Sequence, residues 1–354
     1  MSEVTRFTTV FGHGLLEELR DTCASTVVLV TMKDLMGLFQ DKFPKQGTPD
    51  AFVIYYVESL EAEDLKRDMI KLEQEHGKIR TIVGFGGGQA IDVAKFFSWS
   101  LGGIALFQVP TALTVDAPYG HRAAIRYDGV VRYVGFAVPL AVYIDFDVIR
   151  AAPKRLNLSG VADVLCYHTA HWDWHYADEK GKAGNFRYDQ KLVDEAQAVM
   201  QEMLDNLEEC RDMTEKGVEV LTRAFQFGGG AFFSYGWNPR PLEGFDHLFF
   251  YALEKHTGKH FIHGYPVALG IFLGSKLQDN KPEWVLDVLV KCGIDIRAEA
   301  LNITWNDVVD TLHGLAKFVE DNDYMFTIGS TATFTDEWLE ETREQLYSRL
   351  SVLD

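Results

Sequence analysis

Residues 81–95, TIVGFGGGQAIDVAK, run from a β-branched apolar segment into three glycines and then into a helix-forming stretch. That order predicts a strand, a tight turn and a helix, the opening half of an α/β unit. Without side chains, the backbone at Gly86, Gly87 and Gly88 can come close to a ligand. The following helix N-terminus adds free N–H groups and the positive end of its dipole, which suits a pyrophosphate. The spacing is not G-x-G-x-x-G, so the common dinucleotide fingerprint is absent. A plain tight turn fits the same three glycines, and the choice between the two readings rests on segments further along the chain.

Short β-branched or aromatic runs at 27–31, 52–57, 81–85, 105–109 and 141–145 alternate with helical stretches such as 60–75. In that stretch Leu65, Met69 and Leu72 recur at helical spacing. Alternation of this kind predicts a parallel, Rossmann-like sheet with helices on its faces and ligands at the carboxyl ends of the strands. After about Pro153 the strand signals fade. Residues 188–216 carry Leu192, Ala196, Val199, Met203 and Leu207 at steps of three and four, an amphipathic helix. Further helices are expected over 217–233, 247–256, 266–277, 283–292, 305–318 and 336–350. The chain therefore divides into an α/β domain, residues 1–152, and an all-α domain, residues 153–354. No Gly/Ser-rich or Pro-rich linker joins them, and no internal repeat is visible.

The composition narrows the class. Of the 354 residues 47% are hydrophobic, enough for a full core, and the net charge of −18 argues against a nucleic-acid partner. The cysteines Cys23, Cys166, Cys210 and Cys292 are widely spaced, which fits reduced core thiols in a cytoplasmic protein. The start, MSEVTRF, lacks a charged opening followed by an apolar core, so no secretory signal is expected. No apolar run reaches the roughly 20 residues of a membrane span.

Two further constellations bear on chemistry. In PTALTVDA, just after the strand at 105–109, Thr111 and Thr114 offer hydroxyls and Asp116 a carboxylate at the sheet edge that carries the glycine turn. The alternative is that they only cap the next segment. The other constellation is Asp163, His247 and His263. One carboxylate and two imidazoles form an N/O donor set suited to zinc or ferrous iron, with positions left open for a substrate oxygen. His171 and His175, one helical turn apart beside His168, make a rival cluster that lacks a third partner.

Taken together, GGG with Asp92 and Lys95, PTxxxxDA, GxxDxL at 160–165, a helix His and then H-G-x-x-V at 263–267 form one succession. It resembles the superfamily of iron-containing alcohol dehydrogenases, glycerol dehydrogenases and dehydroquinate synthases, over about residues 81–270. Within it, residues 138–154, the run from Thr169 to Trp174, and PRPLEGFDH at 239–247 are most similar to the sn-glycerol-1-phosphate dehydrogenase branch, whose pattern is RPxxGxEH. The resemblance implies a dehydroquinate synthase-like fold and a metal-dependent NAD(P)-linked oxidoreductase acting on a small polyol, a polyol phosphate or the matching ketone. It implies that Gly86, Gly87 and Gly88 receive the pyrophosphate of NAD or NADP, with Thr111 and Thr114 along its length. Asp116 would face the substrate, while Asp163, His247 and His263 would hold a divalent metal, zinc or iron. Asp92 and Lys95 are read as steadying the turn and its helix. The resemblance also implies a homo-oligomer, a dimer or larger.

The departures qualify that picture. Tyr251 stands where the branch has a second His, four residues after the first, and Tyr167 and His168 stand where a Lys is usual. Tyr119-Gly-His-Arg122 replaces a small Ser-rich turn. The missing lysine weakens the case for a phosphorylated substrate unless Arg122, Lys154 or Arg240 substitutes. The aromatic run from Trp172 to Tyr176 reads as core more readily than as pocket wall. Lys33, after the strand at 27–31, occupies ground where NAD-selective folds often place an acid. Two other functions are open: a sugar-phosphate cyclase of the dehydroquinate type that uses NAD transiently, and a degenerate member retained for binding.

Overall fold

The computed structural model describes residues 7–22, 27–42, 52–234 and 236–354; Cys23 and the opening MSEVTR lie outside them. The described chain forms two compact units. One contains the residues up to Asn157 together with Met213–Ser234, and the other contains Leu158–Asp212 with the remainder of the chain.

The first unit is built on strands β1 (Thr9–Gly12), β2 (Val27–Thr31), β3 (Val53–Tyr56), β4 (Thr81–Gly86), β5 (Ala105–Pro110) and β8 (Ala141–Asp145). They form one sheet in the order β1-β8-β5-β4-β2-β3, with every pairing parallel. Burial on both faces explains why the inner strands β2, β4, β5 and β8 read as continuous apolar runs. The pleat divides their side chains: Val28, Val30 and Ile82 enter one core, whereas Val27, Leu29, Val83, Phe85 and Val109 enter another. All five expected strands are present, two with the expected ends and three with ends shifted by one residue.

Three strands were not anticipated. One is the edge strand β1; the others, β6 (Ala123–Tyr127) and β7 (Val130–Val134), form an antiparallel hairpin. Its turn is Asp128-Gly129, with φ of 53° and 74°, the doubly left-handed two-residue turn for which Asp-Gly is a strong signal. That signal was legible in the sequence.

The second unit is helical, as expected, with one correction. Residues 188–216 are two helices, Gln190–Asp205 and Leu207–Asp212. Apolar spacing runs through the junction, but Asn206 leaves helical geometry (φ −118°, ψ 30°) and its side-chain amide donates to Glu202 O at 2.8 Å. That bond satisfies one of the carbonyls exposed at the helix end. Helices Lys154–Val164 and Tyr167–Glu179 were not assigned beforehand. The helix Glu215–Ser234 belongs to the sheet-containing unit, where Gln226 Nε2 donates to Thr9 Oγ1 at 2.8 Å. Cys166, Cys210 and Cys292 are buried and form no disulfide among the described residues. Among the described residues no helix is long and apolar enough to cross a membrane.

Candidate metal centre and glycine turn

Asp163, His247 and His263 come from separate parts of the sequence and meet inside the helical unit. Asp163 lies near the end of the helix Lys154–Val164, His247 in the first turn of Phe245–Thr257, and His263 immediately before Gly264–Leu277. Two glycines of the last helix make the convergence possible. A Cβ at Gly264 would fall 1.9 Å from Ser159 O, and one at Gly270 would fall 2.6 Å from Asp246 O. Their absence lets this helix lie against both others; Gly264 N also donates to Ser159 Oγ at 2.8 Å, one turn before Asp163.

The potential ligand atoms face one another. His263 Nε2 is 3.3 Å from Asp163 Oδ1, His247 Nε2 is 3.6 Å from the same oxygen, and the two Nε2 atoms are 3.3 Å apart. Atoms bound about 2.0–2.1 Å from a tetrahedral ion lie about 3.3 Å from each other, so this spacing fits a cation such as zinc without rearrangement. Asp163 Oδ1 is buried and makes no well-formed hydrogen bond among the described residues, which also fits a cation at the shared point. These are the described residues that form such a group.

The electrostatics point the same way. Burial resists ionisation of Asp163, but the imidazoles of His263 and His247 outweigh it and bring the carboxyl down to about 2. Burial likewise opposes charge on His247, yet the carboxylates of Asp163 and Asp246 on either side of the ring raise its affinity for a proton well above the usual value. A cation at the shared point would take the place of the proton on the Nε2 side, while Asp246 on the Nδ1 side would strengthen the ring as a donor.

Several residues that depart from the family pattern have partners within the helical unit. Tyr251, one turn after His247, donates from its hydroxyl to Glu243 Oε1 at 3.3 Å and stacks on Tyr324 at 5.7 Å. Tyr167 is buried within its helix. Arg240 is buried and donates to Phe326 O (2.6 Å) and Lys182 O (3.3 Å), so its guanidinium holds loops together and does not serve as the free cation envisaged for a phosphate. Of the aromatic run, Trp174 is fully buried and donates to Phe186 O at 2.8 Å, whereas Trp172 and Tyr176 are half-buried and stack on each other at 5.4 Å. The rival histidines are engaged elsewhere: His168 Nε2 bonds Asn280 O and His171 Nδ1 bonds Tyr167 O, both at 2.8 Å, while His175 packs on Tyr188.

In the other unit the glycine turn closes β4 and opens the helix Gly88–Ser100. Thr111, at the end of β5, donates its N–H to Gly86 O at 3.0 Å, bringing the PTALTVDA segment beside the turn. The three glycines are not equivalent. A Cβ on Gly86 would sit 2.7 Å from Ala90 Cβ, and one on Gly88 would sit 3.2 Å from Val115 Cγ2, but one on Gly87 would meet no protein atom within 4 Å. Open space above Gly87 is what a ligand cradled on the turn requires. Thr111 is buried, whereas Thr114 and Asp116 are half-buried, with Asp116 opening a short turn, Ala117–Tyr119.

Lys95 does more than steady its own helix. Its side chain is 2% exposed, and its ammonium pairs with Asp92 at 2.7 Å and donates to Ala117 O, Gly120 O and Arg122 O. It therefore fastens the segment that follows Asp116, a role that sequence spacing of 22–27 residues did not reveal.

Residues 14–153 match the model of the iron-containing alcohol dehydrogenase family. Glycerol-1-phosphate dehydrogenase (NAD(P)+) of Halobacterium salinarum is 30% identical over 319 residues, covering 86% of this chain and 87% of that protein. The enzyme of the same name from Methanosarcina acetivorans is 28% identical over 310 residues, 85% of each. Among solved structures, a probable glycerol dehydrogenase from Sinorhizobium meliloti superposes with a TM-score of 0.71 at 18% identity, covering 98% of this chain and 97% of that one. Glycerol dehydrogenase from Schizosaccharomyces pombe gives 0.70 at 19% identity, with 98% and 91% covered. The solved structures carry the fold.

Proposed function

Because this chain belongs to the glycerol-1-phosphate dehydrogenase family of the iron-containing alcohol dehydrogenases, we propose that it interconverts sn-glycerol 1-phosphate and dihydroxyacetone phosphate. It is an NAD(P)-linked, divalent-metal oxidoreductase of small polyol phosphates. The observation that carries the reading is the meeting of Asp163, His247 and His263, three ligand atoms within 4.8 Å of one another.

When bound, the metal, zinc or ferrous iron, supplies Lewis acidity at the reacting oxygen and the nicotinamide supplies the redox equivalents. Asp163, His247 and His263 hold the ion. Gly86, Gly87 and Gly88 receive the cofactor's pyrophosphate at the start of the helix Gly88–Ser100, and Thr111 and Thr114 flank it. Asp116 faces the substrate, on a segment that Lys95 holds in place. At the end of β2, Lys33 pairs with Glu58 at 2.5 Å, so the cation available to a 2′-phosphate is already partly neutralised. The name of the relatives, glycerol-1-phosphate dehydrogenase (NAD(P)+), supports use of both NAD and NADP. We place the active species in a homo-oligomer, to be checked by light scattering.

The cyclase alternative requires several cations around a phosphate, and Arg240 is committed to backbone carbonyls. The test is to strip the protein with a chelator, reload it with zinc or ferrous iron, and follow NADH and NADPH oxidation with dihydroxyacetone phosphate, then with free dihydroxyacetone. Metal-dependent turnover is expected with the phosphorylated ketone, lost in His263→Ala while the circular dichroism of the fold is kept. Phosphate release from a seven-carbon sugar phosphate without net cofactor oxidation would overturn the assignment in favour of the cyclase.

A further inference from the structure

We infer that Asp246 is a positioning residue for the metal centre, selecting the ring nitrogen that His247 presents and strengthening it as a donor. Asp246 is fully buried in the first turn of the helix Phe245–Thr257. Its Oδ1 lies 2.6 Å from His247 Nδ1 and also accepts His247 N–H at 2.8 Å, while its Oδ2 accepts the hydroxyl of Thr169 at 2.7 Å. Both carboxylate oxygens are therefore committed, one to the ring and one to the neighbouring helix Tyr167–Glu179.

A carboxylate accepts and does not donate, so His247 carries its proton on Nδ1 and leaves the lone pair of Nε2 for the point shared with Asp163 and His263. The close approach of Gly270 to the Asp246 backbone holds the residue from a third side. A buried negative charge on the far side of an imidazole also makes the ring a stronger donor, and loss of such a partner typically costs about 10–100-fold in metal affinity. The sequence pattern is consistent: this chain has Asp where the RPxxGxEH pattern places Glu, and both are carboxylates.

The inference rests on the metal reading of the triad, and the experiment separates the two. Zinc affinity is measured by competition with a chromophoric chelator for the parent protein, Asp163→Ala, Asp246→Asn and Asp246→Glu, alongside the visible spectrum of the cobalt form and the unfolding of the metal-free protein. Asp246→Asn keeps the shape and can still accept the His247 N–H. It is expected to unfold like the parent yet bind zinc about 10–100-fold more weakly. A shifted cobalt spectrum should accompany that loss, with unchanged affinity for NAD(P)H, and Asp246→Glu should recover most of it. Should Asp246→Asn fail to fold, nitrogen NMR of the parent loaded with isotopically labelled cadmium answers the same question. Coupling to His247 Nε2 with a protonated Nδ1 supports the inference, and coupling to Nδ1 overturns it. Parent-like affinity and spectrum in Asp246→Asn, with Asp163→Ala unable to bind, overturns the role of Asp246 alone. A parent that holds no zinc, or an Asp163→Ala protein that holds it equally well, overturns the metal reading and this inference with it.

Discussion

Within the glycine turn, Gly87 is the position whose side chain would occupy ligand space without disturbing protein packing. Gly87→Val should therefore keep the fold and weaken NAD(P)H binding by at least about tenfold, or ~1.4 kcal/mol, as read by calorimetry. Undiminished affinity would remove the pyrophosphate from this turn. Gly86→Ala makes a poorer probe, because its Cβ strikes Ala90 and mixes cofactor loss with strain. His168 gives a different kind of residue-level prediction. Burial lowers its pKa to about 4, against 6.5 for an ordinary histidine. The unfolded chain therefore takes up the proton first as pH falls. The contribution to stability is full above pH 6.5 and drains away toward pH 4, the loss reaching about 2 kcal/mol by pH 5. His168→Gln should show a smaller loss of stability between pH 7 and 5 in urea titrations; an undiminished loss would assign the effect to other groups.

At the level of elements, the metal centre depends on how closely three helices pack. Gly264→Ala would place a methyl against Ser159 O and push the helix Gly264–Leu277 away from Lys154–Val164. The expected cost is about 1–3 kcal/mol, the usual range for overpacking, together with weaker metal retention. Thermal unfolding with and without zinc checks it, and parent-like behaviour in both would mean that the backbone there yields freely. Element type was largely legible because buried parallel strands and amphipathic helices impose different apolar periods. The hairpin β6–β7 is equally legible through Asp128-Gly129. The break at Asn206 is not, since the apolar spacing runs unbroken across it.

For the whole molecule, the candidate cofactor turn and the candidate metal triad lie in different compact units. Each binding event should therefore survive loss of the other. His263→Ala is expected to bind NAD(P)H with parent-like affinity, and Gly87→Val to retain zinc, although both lose turnover. Fluorescence titration of the cofactor and metal analysis of the two variants are sufficient to test this. Loss of cofactor binding in His263→Ala would show that the metal residues also organise the glycine turn.

What the sequence alone determined was local: the strand–glycine–helix unit and the alternation that makes a parallel sheet, whereas Asp163, His247 and His263 stood out only through the resemblance of their motifs. Such features are legible because residue type and short-range period carry them. Tertiary structure decided the rest. Which histidines are ligand candidates and which are bound to backbone carbonyls depends on neighbours up to 112 residues away, as for His168 and Asn280. That Glu215–Ser234 joins the sheet-containing unit, that Lys95 fastens the segment after Asp116, and that Asp246 turns inward to His247 are likewise products of packing. No local propensity encodes them, because hydrogen bonds and close contacts between distant segments exist only once the chain has collapsed around its core.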